Sequence, residues 1–114
     1  MLTIDALKAF GANADEGLNR CMNNEAFYFR LIGMALEDKG FGALADALAA
    51  GDVKAGFEAA HALKGVLGNL SLTPLYESVS EITEKLRAGS DEGCGELLAD
   101  VEKKRQELLV LCDK

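Results

Sequence analysis

The chain holds a single histidine, His61, with a lysine three residues on (Lys64) and a glycine four residues on (Gly65). An imidazole is a nucleophile, and an ammonium beside it can pair with a phosphate carried on the ring. The surrounding stretch, Asp52 to Leu70, reads DVKAGFEAAHALKGVLGNL. At roughly 100° per residue it forms an amphipathic helix. Ala59, Leu63, Val66 and Leu70 then share one side, with Gly56 beside them. His61 lies on the other side, among Lys54, Phe57, Glu58, Lys64, Gly65 and Gly68. Residues three and four apart are neighbours on a helix. Lys64 and Gly65 therefore flank His61 one turn on, and Phe57 and Glu58 one turn back. The stripe that would bury this helix faces away from His61, so a core role for the imidazole is disfavoured.

The glycines point the same way. Glycine inside a helix costs about 0.8–1 kcal/mol relative to alanine, so Gly56, Gly65 and Gly68 together cost roughly 2–3 kcal/mol. Two of the three sit beside the histidine, where missing side chains let a large group or another protein's backbone come close.

Other chemistries find little support. A zinc site needs three or four ligands, and the chain has one histidine and three widely spaced cysteines, Cys21, Cys94 and Cys112. With no CxxC, these read as small apolar residues of a reducing compartment. No nucleophile, base and oxyanion hole of a serine hydrolase can be assembled. No glycine-rich loop follows a strand, so nucleotide binding has no basis. A phosphoryl group on His61 would have to come from another protein.

The elements that must position this helix follow from composition and spacing. A chain of 114 residues suits one domain spanning 1–114 with a single core. A net charge of −7 argues against a nucleic-acid surface. No apolar run reaches the length of a membrane span, and the N-terminus lacks the pattern of a signal peptide. The expectation is a free-standing cytoplasmic protein. Ile4, Leu7 and Phe10 suit a short helix over one end of the core, and Gly11 to Gly17 reads as a loop. Asn23 or Asn24 can cap a helix over Glu25–Asp38, whose wide apolar surface either packs on two neighbours or offers Tyr28 or Phe29 to a partner. Asp38-Lys39-Gly40 reads as the end of that helix. Phe41, Leu44, Ala45 and Leu48 mark a short helix closing at Gly51. Asp52 caps the histidine helix. Thr73 and Pro74 open the next, with Leu75, Val79, Ile82 and Leu86 as its seam. Ser90 caps the last, and Lys103, Lys104 and Arg105 read as a solvated face with local ion pairs. No segment alternates as a strand would. The fold class is therefore all-α: an antiparallel up-down four-helix bundle over Glu25–Asp38, Asp52–Leu70, Pro74–Ala88 and Asp91–Leu111, with short additional helices at its edge.

His61-Ala62-Leu63-Lys64-Gly65, followed by Gly68-Asn69-Leu70, resembles the signature of histidine-containing phosphotransfer (HPt) domains. The resemblance extends over nearly the whole chain. It departs at Ser71, where many members of that family have glycine. It implies the same bundle, with His61 as phosphoacceptor through the outward nitrogen, Nε2. Lys64 is then the charge partner of the phosphate and Gly65 provides steric access, with Lys54, Phe57, Gly65 and Gly68 on the docking surface. The implied partners are receiver domains of a response regulator or a hybrid histidine kinase. The chain would have no cofactor and no kinase activity of its own, with Mg²⁺ on the partner, and would act as a monomeric relay. The competing reading is a helical adaptor that binds a signalling partner through the same face without phosphorylation. Such an adaptor has no physical need for the trio His61, Lys64 and Gly65.

Overall fold

The computed structural model describes residues 1–113, and among them there are helices and no strand. The helices are α1 (Ile4–Phe10), α2 (Ala14–Arg20), α3 (Glu25–Leu36), α4 (Lys39–Ala50), α5 (Val53–Asn69), α6 (Thr73–Arg87) and α7 (Cys94–Asp113). Five of the helix starts are capped by a side chain. Thr3, Asn13, Asn24, Asp38 and Asp52 each accept a backbone N–H from the first turn that would otherwise lack a partner. Gly11 and Gly51 end α1 and α4 in the left-handed conformation, at φ 106° and 70°.

Close pairs fix the topology. Gly40 lies against Leu63 and Gly56 against Ala47, so α4 and α5 are antiparallel. Gly68 meets Tyr76, and Gly56 also meets Leu86, so α5 and α6 are antiparallel. Ser78 donates to Asp100 across 3.0 Å, and Gly93 lies by Lys85, which sets α7 antiparallel to α6. α7 closes the ring by packing on α3 and α4. The result is an up-down helical bundle.

The first side of that bundle differs from the sequence expectation. It is not Glu25–Asp38 with a separate short helix at the edge. Tyr28 meets Leu70, Gly40 meets Leu63 and Ala47 meets Gly56, so α3 and α4 run in succession along the same side. The chain breaks between them because the Asp38 side chain accepts from the Gly40 N–H at 2.7 Å and starts a new helix. Gly40 is therefore inside a first turn and is not a stop. A Cβ there would stand 2.9 Å from Leu63 Cγ. Arg105 of α7 bridges the break. Its Nε donates to the Leu36 carbonyl at 2.6 Å, and its guanidinium lies 5.0 Å from the centre of the Phe41 ring. The basic run is thus only partly a solvated face: Lys104 pairs with Asp100, while Arg105 supplies the cation that the end of α3 lacks.

The core is one continuous cluster, with Leu7, Tyr28, Ile32, Leu36, Leu44, Leu63, Leu67, Leu75, Val79, Ile82, Val101 and Leu108 among its members. Tyr28 is fully buried, which removes it as a partner-facing residue, whereas Phe27 and Met34 of the same helix are exposed. On α5 the buried stripe is Gly56, Ala60, Leu63 and Leu67, with Ala59 and Val66 half-buried at its margin. The stretch between Gly11 and Gly17, expected as a loop, contains the start of α2. Gly17 is buried in that helix because the Tyr28 hydroxyl occupies the place of a Cβ. At the far end, α6 starts at Thr73 with no side-chain cap, and 88–93 is a turn rather than the first turn of α7. No described helix is long and apolar enough to cross a membrane.

Candidate functional site

His61 is exposed at the middle of α5, as the polar face of the helix requires. One side of it opens on a cleft of about 570 Å³. α5 lines this cleft with His61, Lys64, Gly65 and Gly68, α2 with Glu16 and Arg20, and the start of α6 with Tyr76. The two residues one turn on along α5, Lys64 and Gly65, thus share a wall with the histidine. Lys64 is half-buried and, among the described residues, makes no ion pair. Its ammonium is available to an anion near the ring.

The two glycines differ in what they allow. A Cβ on Gly65 would have nothing within 4 Å, so the space over this residue is open to a visitor. A Cβ on Gly68 would come 3.0 Å from the Tyr76 ring. Gly68 therefore admits a neighbouring helix of the same chain, and its contribution to the cleft is to let Tyr76 in.

On its other side His61 meets Phe57, with ring centres 5.7 Å apart and planes tilted by 30°. Phe57 is half-buried, and the Arg87 guanidinium covers its ring at 5.1 Å. Lys54 is exposed two turns before His61 and does not line the cleft. Of the four residues expected at a docking surface, Gly65 and Gly68 border the cleft, Phe57 borders the imidazole, and Lys54 stands apart.

Arg20 and Glu16 were not expected at the site. Arg20 pairs with Glu16 at 2.8 Å and donates to the Gly68 carbonyl at 3.2 Å, placing a cation at the C-terminal end of α5. Both partners of the pair lie on α2 and are about half exposed, so the pair adds little stability, and the hydrogen bond to Gly68 is what ties α2 to α5. A signal for this helix exists in the sequence. Asn13 stands three residues before Glu16, and the two side chains and the Glu16 N–H bond reciprocally at 3.0 and 3.3 Å, in the manner of a capping box.

The turn that ends the site has an unusual residue. Ser71 adopts φ 56°, a left-handed conformation that disfavours any residue with a Cβ. It is 7% exposed, and its hydroxyl has no hydrogen-bond partner. Its carbonyl accepts from the Asn13 N–H at 3.0 Å, so the turn also anchors the start of α2. The departure from glycine thus falls at a position whose backbone suits glycine.

Comparison with curated proteins and with solved structures gave no match. Residues 37–111 match the Hpt domain family, a span that runs from the break before α4 to near the end of α7 and includes His61. An exposed histidine on a central bundle helix, with a lysine and open glycine space one turn away, agrees with that match. The chain therefore belongs to the Hpt domain family, whose members pass phosphoryl groups through a histidine in two-component phosphorelays and interact there with receiver domains.

Proposed function

We propose that this protein is a phosphocarrier that relays a phosphoryl group between receiver-domain aspartates through His61, from a hybrid histidine kinase to a response regulator. The observation that carries the reading is the placement of the one imidazole of the chain. It is exposed, it shares a cleft with Lys64, and the surface over Gly65 is empty.

In the forward step the unprotonated imidazole nitrogen attacks the phosphorus of an aspartyl phosphate. The P–N bond forms as the P–O bond to the aspartate breaks, and the carboxylate leaves with the electron pair. The next step reverses this on a second aspartate and regenerates the free imidazole. Phosphoryl transfer depends mainly on positioning and charge stabilisation. On this chain His61 is the nucleophile, Lys64 pairs with the phosphate oxygens, and Gly65 gives the incoming loop room. Mg²⁺ belongs to the receiver in this reading, and the carrier needs no cofactor of its own.

The test is transfer of labelled phosphoryl groups from a panel of phosphorylated receiver domains, with His61→Gln run in parallel. Acid-labile, alkali-stable label on the wild type and none on the variant is the expected result. If receivers bind both proteins equally and no label moves, the bundle is an adaptor and the relay is refuted.

A further inference from the structure

Phe57 stacks on His61 and is not among the residues that line the cleft. We propose that Phe57 is a positioning residue for His61, and that Arg87 acts through Phe57. This inference rests on the phosphoacceptor reading and specifies how the imidazole is held for transfer.

A long side chain on a helix leans back over the preceding turn, because the alternative rotamer drives it into the helix. For His61 the preceding turn presents Phe57, and the following turn presents the empty space of Gly65. The imidazole therefore rests against an aromatic ring, 5.7 Å between centres, and borders the cleft on its other side. That ring is itself restrained. It is half-buried against the core, and the Arg87 guanidinium lies 5.1 Å from its centre. Arg87 is held in turn by Glu84, one turn back on α6, at 2.8 Å. The order is carboxylate, guanidinium, phenyl ring, imidazole, reaching from α6 onto α5. An exposed imidazole without such a floor samples several orientations, and each step of an in-line transfer requires one of them. Fixing the ring in advance lowers the entropy lost at the moment of reaction. It does not require Phe57 to touch the partner.

Positioning and docking separate in single-turnover kinetics. Transfer from a phosphorylated receiver is measured by rapid quench against receiver concentration, for wild type, Phe57→Leu, Phe57→Trp, Arg87→Ala, Arg87→Lys and the double variant Phe57→Leu/Arg87→Ala. Loss of orientation lowers the maximal rate by about tenfold in Phe57→Leu and about threefold in Arg87→Ala, with the half-saturating concentration unchanged. Phe57→Trp keeps an aromatic ring under the imidazole and stays near wild type, whereas Arg87→Lys behaves like Arg87→Ala, because an ammonium cannot both bond Glu84 at an edge and stack on the Phe57 ring. The double variant is no slower than Phe57→Leu alone, since Arg87 has no route to His61 except the ring. In the NMR spectrum the His61 ring protons shift in Phe57→Leu and, less, in Arg87→Ala.

A raised half-saturating concentration at unchanged maximal rate makes Phe57 a docking residue and overturns the proposal. So do additive losses in the double variant, or ring-proton shifts identical in wild type and Phe57→Leu. Label on the wild type with equal rates in all variants overturns this inference alone. No label on the wild type overturns the phosphoacceptor reading and this one with it.

Discussion

Tyr28 donates its phenolic hydrogen to the Leu70 carbonyl across 2.8 Å, and both ends of that bond are buried. It joins α3 to the cap of the helix that carries His61. Tyr28→Phe leaves the carbonyl unpaired, so stability at neutral pH drops by about 1–3 kcal/mol in urea denaturation. Burial, aided by the nearby Cys21 and Glu16, pushes the phenol up to about 12. The fold thus favours the neutral phenol. Its contribution is complete below the ordinary tyrosine range, near pH 10, and is lost as pH rises from there through about 12. The stability gap between wild type and Tyr28→Phe should narrow across that window, and a constant gap would show that the phenol does not titrate as the burial requires.

Gly65→Ala separates the needs of the fold from those of the partner. The added methyl meets nothing in the chain. Stability should rise by about 0.5–1 kcal/mol, the ordinary gain for alanine in a helix interior. Transfer from a phosphorylated receiver should slow at the same time. A more stable variant with unimpaired transfer would mean that no partner uses the space.

Ser71→Gly should also stabilise the protein, by about 1 kcal/mol. It relieves a left-handed backbone and removes a buried hydroxyl without a partner, against the extra freedom glycine has in the unfolded chain. Ser71→Ala keeps the strained backbone and should gain less. Thermal or urea unfolding of the pair decides it, and equal gains would place the cost in the hydroxyl alone.

Arg105→Ala should destabilise by roughly 1.5–3 kcal/mol, the range for a hydrogen bond to a charged group. It takes away the donor to Leu36 and the cation over Phe41 together. Arg105→Lys should recover little, because an ammonium cannot reproduce a planar group that bonds at one edge and stacks on its face. Full recovery with lysine would reduce the bridge to a simple charge effect.

The parts of this molecule legible in its sequence were those with a strong local pattern. Leu75, Val79, Ile82 and Leu86 are all buried, as their spacing requires, and Asp52 caps α5 by accepting from the Ala55 N–H. His61 faces solvent for the same reason: a 3.6-residue period separates it from Leu63 and Leu67. What local pattern could not reveal was long-range. Asp38 looks like the tail of one helix until its side chain is seen to cap the next. Arg105 reads as one of three cations in a row, and only the fold brings it to Leu36, 69 positions earlier. The α2 wall of the cleft was hidden behind two glycines, although Asn13 and Glu16 carry a legible cap. Phe57 was placed beside His61 by the helical repeat, but its cover, Arg87, comes from another helix.

The antiparallel order of the bundle has a kinetic consequence. α5 packs most extensively on α4 and α6, the helices immediately before and after it in the chain. Its burial is therefore achieved through short sequence separations, which cost little loop-closure entropy and place such helical proteins among the fast folders, on a microsecond to millisecond scale. The surface that presents His61 can be assembled from residues 39–87 by two successive hairpin closures. α7 packs mainly on α6, its neighbour in the chain, and only its smaller contacts with α3 and α4 close long loops. Substitutions at the Arg105 bridge should accordingly act on the unfolding rate, and substitutions at the α4–α5 and α5–α6 seams on the folding rate.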